Sequence, residues 1–314
     1  MLYSQQKNIA TTHSSRKSAA MLKKMVKKIV VGLMPLWLYH KLELAKKQYH
    51  FNLRHKLSRK VKPLEKPDGK SPQYIVSLTS YGKRAASTAP VAIHSLFFQN
   101  PRPDRIVLWL AHETPIPVKL KELQKLGLEI KFCEDIKSFK KLIPALREFP
   151  NDFIITADDD IYYPENWFQL LKVAHEADPG KIHCHRAHEI RFNESKTIVP
   201  YREWKTCVKS IEHRKRIFPT SGGGILYPPK IFSDEIFDSE KFQKLTPTAD
   251  DIWFWAMALA NDKEFSIVEN CVNGACYVGL NNEGLFTING TGQQNDLQLE
   301  NIFRNYPKVL EKIR

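Results

Sequence analysis

The sequence predicts an α/β domain built on a mostly parallel sheet with helices on both faces. Three observations carry that expectation. From residue 73 onward, short apolar runs alternate with helical patterns. Their spacing suits strand–helix–strand units, which build parallel sheets. Finally, the run Phe153-Ile154-Ile155-Thr156 is followed by three adjacent acids, Asp158, Asp159 and Asp160. Parallel sheets bind ligands at such strand ends.

The elements follow in order. Tyr74-Ile75-Val76-Ser77-Leu78-Thr79-Ser80 reads as a buried first strand, and Tyr81-Gly82-Lys83-Arg84 as the turn after it. A helix is expected from Ala89 to Gln99, and a second strand over Arg105–Leu110. Residues 117–126 read as a helix stopped by Gly127, and Leu128–Phe132 as a third strand. Ser138–Glu148 reads as a helix and Asp152–Thr156 as the fourth strand. The turn Tyr81–Arg84, the pair Glu134-Asp135 and the triplet Asp158–Asp160 are then expected to open onto one sheet edge.

The chain divides by composition. Residues 1–70 hold 17 Lys and Arg against 3 Asp and Glu, whereas residues 71–314 hold 31 of each. The whole net charge of +14 therefore sits in the first 70 residues. A neutral globular part excludes a general nucleic-acid binder. Residues 1–20 have the composition of a disordered tail. Residues 21–72 read as a basic amphipathic extension and linker. Lys23, Lys24, Lys27 and Lys28 interleave with apolar residues, and the apolar run from Ile29 to Tyr39 is too short to span a bilayer. Such a helix suits an anionic membrane surface, or packing on the protein itself or a partner. Residues 73–314 are expected to form one globular domain. The five cysteines show no paired or zinc-ligand spacing, which fits a reducing cytosol.

The triplet carries the first chemical signal. Three adjacent carboxylates repel one another unless a cation is supplied. Asp158 and Asp160, at alternate positions, suit a hard divalent ion that also holds a diphosphate. Taken alone, the triplet reads first as a solvated acidic loop between strand and helix; the apolar strand before it argues against that. Asp250-Asp251 precede the apolar run Ile252–Ala260. They are candidates for a general base, or for a helix cap and dipole partner. Ser221-Gly222-Gly223-Gly224 permits close backbone approach to a ligand, or a plain turn before a strand. It lacks the spacing of a Rossmann or P-loop fingerprint. In His183-Cys184-His185-Arg186-Ala187-His188, structural histidines, or Arg186 or His188 lining a ligand pocket, outweigh a zinc site, because no fourth ligand has suitable spacing. Lys205–Arg216 reads as a basic exposed face.

Taken together, Ser77–Arg84, Lys141-Leu142-Ile143-Pro144-Ala145-Leu146, Thr156–Asp160, Ser221–Pro229 and Thr248–Phe254 resemble bacterial nucleotide-sugar glycosyltransferases of the GT-A fold. The group is the one found in capsule and lipopolysaccharide gene clusters. The resemblance covers about residues 73–300. It implies that Asp158 and Asp160 form the DxD motif that binds Mn²⁺ or Mg²⁺ on the donor diphosphate, with Asp159 at the ribose or sugar. Thr79, Ser80, Tyr81, Arg84 and Lys141 would hold the donor, a UDP-sugar being the expectation, with Gly222, Gly223 and Gly224 under its sugar. Asp251, beside Asp250, would be the base of an inverting transfer. The family usually has Pro where this chain has Gly82. It often has a His as third metal ligand near the end of the domain, where this chain offers Asn295 or Asp296.

The expected protein is a metal-dependent glycosyltransferase, peripheral on the cytoplasmic face of the inner membrane. It would extend a surface polysaccharide or lipid-linked saccharide acceptor. The alternatives are a sugar nucleotidyltransferase and a non-catalytic nucleotide-sugar-binding module at the membrane.

Overall fold

The computed structural model describes residues 61–65, 69, 71–269, 271, 276–278 and 294–314, all within the unit Lys60–Arg314. The tail over residues 1–20, nearly all of the basic extension and the loop 289–293 lie outside the described residues.

Four strands open the fold: β1 (Tyr74–Thr79), β2 (Arg105–Ala111), β3 (Leu128–Cys133) and β4 (Phe153–Thr156). Between them run α1 (Ala89–Leu96), α2 (Val118–Gln124) and α3 (Ile143–Glu148). All pairings in this half are parallel, with Val76 opposite Ile106 and Ile155. The strands are apolar at consecutive positions because both sheet faces are covered. Ile75, Val107 and Ile154 enter one core, and Val76, Leu78, Ile106 and Leu108 the other.

The second half contributes β5 (Ile161–Tyr162), α4 (Trp167–Ala177), β6 (Ile182–Cys184), β7 (Ala187–Glu189), β8 (Ile217–Pro219) and β9 (Ile225–Tyr227). Then come α5 (Ser239–Leu245), α6 (Asp250–Ala260), β10 (Phe265–Ile267), β11 (Cys276–Tyr277), α7 (Gln294–Asn305) and α8 (Pro307–Ile313). The central sheet has seven strands in the order β10-β6-β9-β4-β1-β2-β3. Only β9 runs against its neighbours, β4 and β6. The ribbons β5–β11 and β7–β8 stand apart from it. The expected fold class holds as far as the architecture goes: a mixed α/β domain with a mostly parallel sheet covered on both faces.

Three local expectations change. The helix expected over Ser138–Glu148 is broken. Lys137–Lys141 is a 3-10 helix, and α3 restarts at Ile143 with Pro144 in its first turn. Proline lacks an N–H and clashes with the carbonyl four residues back, so a continuous helix cannot pass through it. The first helix stops at Leu96, and Gln99 instead spends its amide on the backbone of Pro164 and Phe168. The turn after β1 is a 3-10 helix, Gly82–Ala86, in which Gly82 has φ +50°. Proline is locked near −65° and could not take that conformation, so this loop is shaped differently from one with Pro there.

Candidate active site

Strand ends and the turns after them bring the acids together. Asp158, Asp159 and Asp160 follow β4. Ser80 and Arg84 follow β1, and Lys141 ends the 3-10 helix before α3. Ser221–Gly223 forms a short 3-10 turn before β9. Asp250 and Asp251 open α6, whose N-cap is Ala249, so Asp250 stands inside the first turn and is not its cap.

Two cations serve the three acids of the triplet, Lys141 at Asp158 and Arg84 at Asp159 and Asp160. The Lys141 ammonium lies 2.6 Å from Asp158 Oδ1, 2.9 Å from Ser221 Oγ and 3.3 Å from Asp250 Oδ2. Lys141 is itself only 6% exposed. Arg84 Nη1 lies 3.0 Å from Asp159 Oδ1 and 3.1 Å from Asp160 Oδ2. Ser80 Oγ donates to Asp159 Oδ2 at 2.5 Å. The Asp158 N–H donates to the buried Tyr163 hydroxyl oxygen at 2.8 Å, which fixes the loop from below. Tyr163 belongs to the run Tyr162-Tyr163-Pro164 that follows the triplet and Ile161.

Arg186, between β6 and β7, completes the ring. Its Nε donates to Thr220 Oγ1 at 2.5 Å. A Cβ placed on Gly222 would lie 2.8 Å from Arg186 Nη2 and 3.0 Å from Asp158 Oδ2. Gly222 therefore lets the Arg186 guanidinium, the Asp158 carboxylate and Ile161 pack onto its backbone, where a side chain would collide with all three. Gly223 lies against the Arg186 backbone, and Gly224, at φ +97°, against the Trp167 indole. These two glycines serve packing.

Proton affinities follow from these partners. Burial raises the Asp158 carboxyl, but the Lys141 ammonium with its hydrogen bond, Arg186 and Arg84 outweigh it and hold the group below its usual range. Burial raises Asp159 above it despite Ser80 and Arg84. Burial, with the charges of Asp158 and Asp159, pushes Asp160 up to about 6. Burial and the neighbouring Asp250 push Asp251 up to about 7, against Lys141. Asp251 Oδ1 accepts from the Ser221 N–H at 3.1 Å. Asp250 Oδ2 has its ion pair with Lys141 at 3.3 Å, yet no hydrogen bond of good geometry.

The remaining expected residues fall around this cluster. Thr79 Oγ1 donates to the Trp109 carbonyl at 2.8 Å, and Tyr81 is 51% exposed with Arg84 over its ring at 5.5 Å. His183 and His185 bond through Nε2 to the backbone carbonyls of Asp178 and Trp167, as structural histidines do. Asp296 Oδ1 accepts from the Tyr201 N–H at 2.6 Å, tying α7 to the loop before β8. Sequence reasoning had no sign of Tyr201, whose hydroxyl burial and the Asp251 charge raise.

The donor set also bears on a metal. Among the described residues, no three His, Cys, Asp or Glu side chains form a ready cage. A diphosphate-bound Mg²⁺ or Mn²⁺ needs only one or two carboxylates, since phosphate and water supply the rest. Asp158 and Asp160 fit that need. Asp158 is held ionised, and Asp160, crowded by like charges, would be relieved by a cation.

No known protein family and no curated protein matches the sequence. Three solved structures overlap it in part. CMP:2-keto-3-deoxy-manno-octonic acid synthetase complexed with CTP is 8% identical over 64% of this chain and 90% of that one, with a TM-score of 0.38. GalNAc-T7 with UDP, GalNAc and Mn²⁺ is 13% identical over 64% of this chain and 43% of that one, TM-score 0.41. The inositol-1-phosphate CTP transferase from T. maritima is 11% identical over 73% of this chain and 97% of that one, TM-score 0.38. Similarities of this size identify no activity.

Proposed function

We propose that this chain is a metal-dependent glycosyltransferase that moves a sugar from a nucleotide-diphosphate donor to a hydroxyl of a saccharide or lipid-linked saccharide. One observation carries the reading: Lys141 and Ser221 join the strand-end Asp158 to the Asp250–Asp251 pair in a single network. A carboxylate held ionised thus stands close to one that can hold a proton near neutrality. Sugar transfer asks for both.

Asp158 and Asp160 would hold Mn²⁺ or Mg²⁺, whose chemistry is to neutralise the departing diphosphate. Arg84 and Arg186 add positive charge on either side of that position. Gly222, having no side chain, lets Arg186 and Asp158 sit close together beside that position. Asp251 accepts the proton of the acceptor hydroxyl, and with an affinity near neutrality it can do so at physiological pH. A base on the acceptor side of the anomeric carbon favours inversion. A UDP-sugar is the first donor to try. Against a sugar nucleotidyltransferase stands the turn after β1, a short 3-10 helix with one glycine and no extended loop to wrap a triphosphate.

Among the described residues, no helix is long and apolar enough to cross a membrane. The basic residues 21–60 favour attachment to an anionic membrane surface on the cytoplasmic side. Flotation with anionic vesicles should retain the full chain and lose a form beginning at residue 71. The site itself is tested by thermal shift with UDP-, GDP- and CMP-sugars, with and without Mn²⁺. One donor should raise Tm, more so with the ion. A panel with no shift would remove the reading.

A further inference from the structure

Lys141 is fixed in place to an unusual degree for a lysine. Its side chain is 7% exposed, and three acceptors, on Asp158, Ser221 and Asp250, surround its Nζ. Two of its three N–H donors go to Asp158 and Ser221, and Asp250 Oδ2 attracts it by charge at 3.3 Å. The backbone is braced as well. Ser77 Oγ donates to the Lys141 carbonyl at 2.6 Å, and the Trp109 indole N–H donates to Ser77 Oγ at 3.0 Å. Strands β1 and β2 thus hold the ammonium where it is.

That placement has a consequence for the ion. Asp158 is both a metal ligand, on the reading above, and the partner of Lys141. Its Oδ1 belongs to the ammonium, and its Oδ2 lies against Gly222 beside Arg186. Arg84 holds Asp159 and Asp160. Two cations, Lys141 and Arg84, thereby engage all three acids of the triplet before any ligand arrives. A divalent ion entering alone must share Asp158 with Lys141 and meets the repulsion of that ammonium at short range. A diphosphate brings the negative charge that the ion needs.

We propose that Lys141 is a built-in counter-ion that makes metal binding depend on the nucleotide diphosphate. It shares Asp158 with the ion and keeps the ion's hold on the empty protein weak. The ion then enters with the donor and leaves with the released diphosphate. This rests on the metal–diphosphate reading and adds the residue that regulates it. Lys141 acts through Asp158 and Asp250, so it is a positioning residue.

Mn²⁺ titration followed by electron paramagnetic resonance tests this on the full chain, alone and with UDP, GDP or CDP. In the wild type, one diphosphate should tighten Mn²⁺ roughly tenfold or more, and Mn²⁺ should tighten that diphosphate by the same factor. Lys141→Gln should bind Mn²⁺ more tightly than wild type when empty, and the diphosphate should then add little. Circular dichroism monitors folding, and Lys141→Met replaces Lys141→Gln should the latter unfold. Equal or weaker Mn²⁺ binding by the empty neutral variant overturns the inference and leaves Lys141 a structural residue. A wild type that binds neither Mn²⁺ nor any of the diphosphates is a different failure. It removes the metal–diphosphate reading, and this inference with it.

Discussion

Asp158 and Asp251 are the same residue type, each at the end of an element, and Lys141 acts on both. Their carboxyls are nevertheless driven in opposite directions, Asp158 below its usual range and Asp251 up to about 7. The difference lies in company. Asp158 has Lys141 in direct contact, with Arg186 and Arg84 behind it. Asp251 has Asp250 beside it and only the Ser221 N–H as a bonded donor. Burial is common to both, so it is the placed cations that divide one group into an ion holder and a proton acceptor.

The comparison can be broken from either side. Asp251→Asn should have the largest effect, lowering kcat roughly 10²–10⁴-fold while leaving donor affinity in place. Wild-type activity should rise with pH as Asp251 loses its proton near 7. Steady-state kinetics across pH should show that limb in the wild type only. Asp158→Asn should come next, with turnover falling roughly 10²–10³-fold because charge on the departing diphosphate is no longer offset. It should weaken donor binding as well, which Asp251→Asn does not, and calorimetry separates the two.

Two glycines sharpen the contrast between site and scaffold. Gly222→Ala puts a methyl against Arg186 and Asp158, and should weaken donor binding about tenfold with stability changed by less than about 1 kcal/mol. Gly224→Ala puts a Cβ 2.4 Å from the Trp167 ring at φ +97°. It should destabilise the fold by about 2–3 kcal/mol in denaturant unfolding, since ring and backbone must both move.

The smallest expected effect is on stability. The folded protein raises Asp251 to about 7, so at mildly acid pH it keeps a proton that the unfolded chain has lost. The resulting stabilisation is present at low pH and lost as pH rises through about 7. Buried His185 and His188, lowered to about 4 by desolvation, act with the opposite sign, so the effect is read as a difference: the Tm of the wild type relative to Asp251→Asn should fall between about pH 5 and pH 8. Asp160, raised to about 6 by the same physics as Asp251, contributes to both proteins alike.

The parallel half of the sheet was readable from sequence because β1 to β4 are four to seven residues long, apolar, and separated by helical patterns. The reversed strand was not. Ile225–Tyr227 is three residues, and strand direction leaves no trace in a side-chain pattern. The triplet and the Asp250-Asp251 pair were legible as acids at element ends. Their junction through Lys141 was not, because it depends on a contact 109 residues apart and on the helix break at Pro144. Arg186 was legible only as one candidate in a histidine-rich stretch, since its partner Thr220 comes from the far side of a long excursion.

Product analysis on a panel of nucleotide sugars with Mn²⁺ and a saccharide acceptor tests the central claim most directly. The wild type should release a nucleoside diphosphate from one donor, and Asp158→Asn should release almost none. The account is contradicted if the wild type frees no nucleoside diphosphate from any donor, or if it instead releases pyrophosphate from a nucleoside triphosphate and a sugar phosphate.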